Sequence, residues 1–308
     1  MNSVNSSIEA KYIELEETFG AQNYRPLPIV LKKGLGPFLW DLNDKKYFDF
    51  LSAYSSLNQG HCHPELLKVL FNQASELTLT SRAFYNNTLG EFEEFICRLF
   101  EYDKVLPMNS GVEAAESAVK LARKWGYEKK GVKMNSAKII FPKNNFWGRS
   151  IAAISSSTNP VAYNNFGPLL SGFEMIPYDN LNFLEEKLKN PDCVAFMLEP
   201  IQGEAGIIVP SDGYLSNVKY LCQKYNVLLI ADEIQTGLGR TGKMLATDYE
   251  DLKPDILVLG KALSGGIMPI SAVLANNDIM LCLQPGEHGS TFGGNPLSAK
   301  VAKKSIEV

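Results

Sequence analysis

Long apolar runs are missing from this sequence. No window of about eighteen apolar residues occurs, which argues against a membrane-spanning helix. The N-terminus, MNSVNSSIEAKYIELEE, has neither the apolar centre of a secretory signal nor the arginines of a mitochondrial presequence. Charge of one sign is also in short supply. Lys and Arg number 30 against 34 Asp and Glu, a formal net charge of −4. No basic stripe is offered to nucleic acid and no acidic tail to solvent. Cysteine occurs five times, at Cys62, Cys97, Cys193, Cys222 and Cys282, with no CxxC pair. This odd, scattered set fits a reduced intracellular protein rather than a disulfide framework. The cytoplasm is the expected compartment, with the mitochondrial matrix as the alternative. His61-Cys62-His63 lacks further ligands at metal-site spacing. It reads as a loop before Pro64, and no metal is expected.

What is there is apolar residue in quantity: 45% of 308 residues, enough for one large domain and a smaller appendage. Residues 1–20 read as a polar helical arm. Two apolar runs, 38–41 and 46–50, flank Asn43-Asp44 and predict a hairpin. Residues 65–77 and 89–100 carry helical spacing. Beyond them the chain alternates. Short, largely apolar runs lie at 138–141, 194–198, 227–231 and 256–259, with helical segments such as 112–125 and 214–225 between them. Strands apolar on both faces suit a parallel sheet covered on both sides, so the fold class is α/β with a mostly parallel central sheet flanked by helices.

Each of three strands ends on polar residues: Leu198 on Glu199-Pro200, Ala231 on Asp232-Glu233, Leu259 on Gly260-Lys261. Ligands of open α/β sheets bind beyond the carboxyl ends of strands. Lysine is rarely buried, because its charged form loses hydration. Lys261 either snorkels outward or serves as an amine. The neighbouring Gly260 and Gly265-Gly266 suggest cleared space around it, and a desolvated amine attacks aldehydes well. Asp232 is either a turn-capping acid or a carboxylate able to keep a pyridine nitrogen protonated. Gln235 follows within reach of a ring substituent. Ser110-Gly111-Val112 opens a helix, as a plain serine N-cap or as a phosphate cradle at the positive end of the dipole. Phe146 and Arg149 lie after a strand, as packing aromatic and surface arginine, or as ring-stacking and carboxylate-gripping groups. Gly237–Gly242 matches GxGxxG, but no strand turns directly into it and no apolar helix follows, so a dinucleotide site is not expected.

These residues together resemble a class III aminotransferase of fold type I, a pyridoxal phosphate (PLP) enzyme, and within that family its ornithine branch. The resemblance runs from about Gly20 to the C-terminus. Its motifs are Gly20–Tyr24, Asn58–Pro64, Glu199–Glu204, Ala231–Gly237, Gly260–Gly266 and Gly286–Thr291. The resemblance implies that Lys261 binds the cofactor as a Schiff base and shuttles a proton. It implies that Asp232 pairs with the ring nitrogen and Gln235 lies near the phenolic oxygen. Ser110, Gly111 and Val112 would hold the phosphate, joined by Ser290 and Thr291 of a neighbouring subunit in a homodimer with shared sites. Phe146 would stack on the ring. Tyr24 and Arg149 would bind the substrate's α-carboxylate, Tyr54 would line its pocket, and Glu204 would act as a switch residue.

The implied reaction moves the δ-amino group of L-ornithine to 2-oxoglutarate, giving glutamate 5-semialdehyde, which cyclises to pyrroline-5-carboxylate, and glutamate. That places the chain in arginine catabolism and proline biosynthesis. Related activities on N-acetylornithine or 4-aminobutyrate, or a non-catalytic PLP-binding remnant, are the other readings. The expected organisation is an N-terminal arm and part of a small domain over 1–50, a large PLP-binding domain over 51–294, and the start of a linker helix over 295–308. The family continues past Val308 into a C-terminal domain that supplies the arginine partner of Glu204. The chain as written is therefore expected to be a fragment or a truncated gene model, with weak or absent turnover and exposed apolar surface.

Overall fold

The computed structural model describes residues 2–308, with side chains from residue 8 onward. A helix at Asn2–Phe19 leads to a three-stranded antiparallel sheet of β1 (Leu31–Leu35), β2 (Phe38–Asp41) and β3 (Lys46–Phe48). The predicted hairpin is β2–β3. Asp41 closes its turn by accepting from the N–H groups of Asn43 and Lys45, both at 2.9 Å.

The main sheet has seven strands: β4 (Lys104–Met108), β5 (Lys138–Pro142), β6 (Phe173–Ile176), β7 (Cys193–Leu198), β8 (Leu228–Asp232), β9 (Ile256–Leu259) and β10 (Ser271–Ala275). Their order is β4-β10-β9-β8-β7-β5-β6. Only β10 runs against its neighbours, pairing antiparallel with both β4 and β9. The remaining pairings are parallel. The expected architecture is therefore observed.

Both faces of the central strands are buried, and alternation divides their side chains. Ile256 and Val258 of β9 join the core beneath the helix Gly111–Trp125. Leu257 and Leu259 pack on the other face, with residues of the helices Leu89–Phe100 and Pro296–Glu307. Farther along that face, Phe196 and Leu229 meet residues of the helices Leu181–Leu188 and Tyr214–Lys224. A period of two, apolar at both phases, is what a strand covered on both sides requires. Ala299 and Ala302 place the final helix inside the core rather than beside it.

His61 pairs with Asp49 (2.7 Å), and its ring sits where a Cβ on Gly34 would be. Among the described residues no cluster of His, Cys, Asp and Glu gathers for a metal. No helix is long and apolar enough to cross a membrane.

Candidate active site

The carboxyl ends of β7, β8 and β9 open onto one cleft. Lys261, Asp232, Glu199, Gln235, Glu204, Gly111, Val112 and Phe146 all line it.

Lys261 follows β9 and takes a backbone φ of +43°, left-handed for a residue with a Cβ. Such strain persists only where the surroundings enforce it. Burial lowers its pKa, opposed by the charges of Asp232, Glu204 and Glu199. Its neighbouring glycines act differently from expectation. Gly265 and Gly266 have φ of +60° and +77°, and a Cβ on them would meet Leu66 and Leu57 at 2.4 and 2.3 Å. They form a tight turn packed against the core instead of clearing space for the amine. Gly260 makes room for Ile234 and Ser271.

Asp232 is the last residue of β8 and is buried. Its Oδ1 accepts from the Ile234 N–H (3.1 Å). Burial pushes its pKa up to about 7, against the hydrogen bond from Ile234 and the charge of Lys261. The adjacent Glu233 faces away. It accepts from the N–H groups of Thr247 (2.8 Å) and Ala246 (3.1 Å) and from Thr236, which ties the following loop to the strand end.

Sequence alone assigns Glu199 no role beyond that of a strand-end acid. It is buried on the cleft wall and accepts from the N–H groups of Phe146 (3.0 Å) and Gly203 (3.3 Å). It thereby ties two loops to the end of β7. Burial, then the charge of Asp232, pushes its pKa up to about 8.

These two acids make the cofactor-free protein pH-sensitive. Asp232 rises from 3.8 to about 7, and Glu199 from 4.5 to about 8. Between those limits the native state keeps protons that the unfolded chain has released, so stability falls as pH rises. We expect the melting midpoint of cofactor-free Asp232→Asn to exceed that of the parent protein. The margin should widen from pH 5 to about pH 7 and then level off. Calorimetry across that range checks it, and a constant margin would contradict it.

The helix Gly111–Trp125 begins at a full capping box. Ser110 Oγ accepts from the Glu113 N–H (3.3 Å), while Glu113 Oε2 accepts from the N–H groups of Ser110 (2.8 Å) and Asn109 (2.9 Å). Ser110 is thus a structural N-cap. The N–H groups of Gly111 and Val112 have no acceptor among the described residues. Both residues line the cleft, at the positive end of a 15-residue helix. The loop is fastened from below by Ser271 Oγ, which donates to the Ser110 carbonyl (2.7 Å).

Phe146 and Trp147 divide their work. Trp147 is buried, stacked on Phe141 with centroids 5.8 Å apart, and donates through Nε1 to Ser156 Oγ (2.7 Å). Phe146 is left facing the cleft. Arg149 lies over its ring at 5.6 Å and lines a second cavity that shares Phe146, Trp147, Gly148 and Glu204 with the first.

Other predicted residues lie outside these cavities. Tyr24 is 70% exposed. Tyr54 is half-exposed, and its carbonyl accepts from Gln235 Nε2 (3.4 Å). Ser290 accepts from Asn109 Nδ2 (2.7 Å), just ahead of the helix N-terminus, and Thr291 is exposed.

A poorly hydrated amine, a buried carboxylate and a helix start with two unused N–H groups converge here. They suit one ligand bearing an aldehyde, a basic ring nitrogen and a phosphate, and PLP carries all three. Fold and site together define a class, the PLP-dependent transferases of fold type I. Within it the chain belongs to the class III aminotransferases, since the Aminotransferase class-III model matches residues 19–308. It is 63% identical over 293 residues to the mitochondrial ornithine aminotransferase of Drosophila melanogaster, covering 95% of this chain and 68% of the relative. Against the rat mitochondrial ornithine aminotransferase it is 58% identical, covering 97% and 68%. The crystal structure of ornithine aminotransferase from Toxoplasma gondii superposes with a TM-score of 0.96 at 53% identity, covering 97% of this chain and 71% of that one.

Proposed function

We propose that this chain transfers the δ-amino group of L-ornithine to 2-oxoglutarate with PLP as cofactor. The observation that carries the proposal is the cleft itself, where Lys261, Asp232 and the free N–H groups of Gly111 and Val112 converge, within a sequence that matches ornithine aminotransferases along nearly its whole length.

PLP, when bound, supplies an aldehyde to carry the amino group and a ring able to take up electrons. The rest is done by the chain's own residues. Lys261 Nζ, whose pKa burial lowers, is the amine that would hold the aldehyde, and it would carry the proton to and from the substrate carbon. Asp232, buried at the end of β8, would hold the proton at the ring nitrogen and so support the ring's capacity to take up electrons. The Gly111 and Val112 N–H groups would hold the phosphate, with Ser110 shaping their turn. Phe146 would cover one ring face, and Gln235 would donate to the phenolic oxygen. Arg149, across the shared wall from Lys261, grips the α-carboxylate of a substrate whose far amine reaches the aldehyde.

We assign Tyr54 to the substrate wall, Tyr24 to the carboxylate and Glu204 to switching between substrates. Ser290 and Thr291 are assigned to the phosphate of a second copy in a homodimer. We further assign 51–294 to cofactor binding, 1–50 to the arm and small domain, and 295–308 to a linker. The fly and rat relatives carry mitochondrial names, which supports the matrix, the second of the two compartments considered, over the cytoplasm.

The experiment is a single half-reaction. Ornithine added to the PLP-loaded protein should bleach the cofactor's visible absorption, and 2-oxoglutarate should restore it. Arg149→Ala should need roughly 10–100 times more ornithine for half-maximal bleaching, with a smaller effect on 4-aminobutyrate, which has no α-carboxylate. Equal response to both amines in parent and variant would overturn the assignment.

A further inference from the structure

The loop after β7 passes the side chain of Gln235 at close range. Gly203 is held there by its N–H, which donates to buried Glu199, and by its carbonyl, which accepts from the Gly206 N–H (3.2 Å). A Cβ on Gly203 would lie 1.7 Å from Gln235 Oε1 and 2.7 Å from its Cδ. Carbon and oxygen in contact need about 3.3 Å. The Gly203 backbone is outside the left-handed region, so alanine suits its φ. What the position excludes is volume.

The opposite end of the same amide is also held. Gln235 Nε2 donates to the Tyr54 carbonyl at 3.4 Å. That carbonyl belongs to four consecutive non-glycine residues in the left-handed region, Ser52 to Ser55, with φ of 52°, 46°, 58° and 72°. Exchanging the oxygen and nitrogen of the amide would set two carbonyl oxygens against each other. The orientation is therefore set, and the second Nε2 hydrogen is left for the cleft that Gln235 lines.

We propose that Gly203 is a positioning residue: its missing side chain, together with the Tyr54 carbonyl, fixes the Gln235 amide so that an N–H donor meets the cofactor's phenolic oxygen. This rests on the reading that Gln235 faces that oxygen.

The test is a double-mutant cycle on Gly203→Ala and Gln235→Ala. Three quantities are read: the dissociation constant for PLP, the pH midpoint of the bound cofactor's visible absorption, and the melting midpoint of the cofactor-free protein. Gly203→Ala should weaken PLP binding roughly five- to tenfold, the value of one hydrogen bond, and shift the absorption midpoint in the same direction as Gln235→Ala. In the Gln235→Ala background, where the colliding atoms are gone, Gly203→Ala should change neither quantity. A Gly203→Ala protein that matches the parent, while Gln235→Ala is impaired, would overturn the clamp alone. The same penalty in both backgrounds, or a lower cofactor-free melting midpoint in both, would assign Gly203 to the backbone and also overturn it. A Gln235→Ala protein that binds and titrates like the parent would overturn the Gln235 contact and the clamp together.

Discussion

Lys261→Ala should slow the half-reaction with ornithine by at least about 10³-fold while the protein still folds and still binds PLP. A positioned proton carrier alone contributes about 10²–10⁴. The variant also loses the amine that attacks the aldehyde, so the expected loss lies toward the upper end. Folding should survive because burial already disfavours the charged form of the Lys261 amine. Two controls separate chemistry from structure. A small primary amine added to Lys261→Ala should restore part of the rate, since it can enter the vacated space and carry the proton. Lys261→Arg should not be rescued, because the guanidinium fills that space and keeps its proton. Unimpaired bleaching by ornithine in the alanine variant would contradict the assigned role.

Asp232→Asn carries the second large effect. On the proposed reading, the carboxylate would face a protonated ring nitrogen inside a buried site in the cofactor-bound protein. Removing one partner of a buried ion pair costs about 3–5 kcal/mol. If that loss falls on the reacting state it slows the half-reaction by about 10²–10⁴. Asparagine cannot stabilise the ring proton, so the ring loses most of its capacity to take up electrons. The same substitution should stabilise the cofactor-free protein above neutral pH, because it removes a carboxylate whose ionised form is poorly solvated there. Slower chemistry with a more stable scaffold is a combination that general structural damage does not produce. Asp232→Glu should retain more activity than asparagine. An asparagine variant as fast as the parent would contradict the ring-nitrogen pairing.

Much of this architecture was legible in the chain because β5, β7, β8 and β9 are apolar at both phases of the strand period, a pattern few other elements share. Three strands escaped for physical reasons. β4 contains Pro107 and lies at the edge, where proline is tolerated. β6, the other edge, carries Glu174, paired with Lys138 and Lys187 at 2.8 and 3.0 Å, so its apolar signal is broken. β10 reads Ser-Ala-Val-Leu-Ala, and its small residues give little strand propensity.

The site divides in the same way. Lys261 and Asp232 were readable because position at a strand end is a local property. The roles of Glu199, Ser271 and Gly203 depend on distances across the fold, and spacing along the chain carries no trace of them. Gly265-Gly266 shows the converse error, since a glycine pair beside a lysine looks like cleared space until Leu66 and Leu57 are seen to fill it. Tyr24, Ser290 and Thr291 were named only by resemblance, and in the single chain they stand outside the cleft.

The most direct measurement is borohydride reduction of the PLP-loaded protein followed by proteolysis and peptide mapping. The cofactor should be found covalently fixed to the peptide containing Lys261, in near-stoichiometric yield. Release of unreacted cofactor, or attachment at a different lysine, would contradict the account at its base.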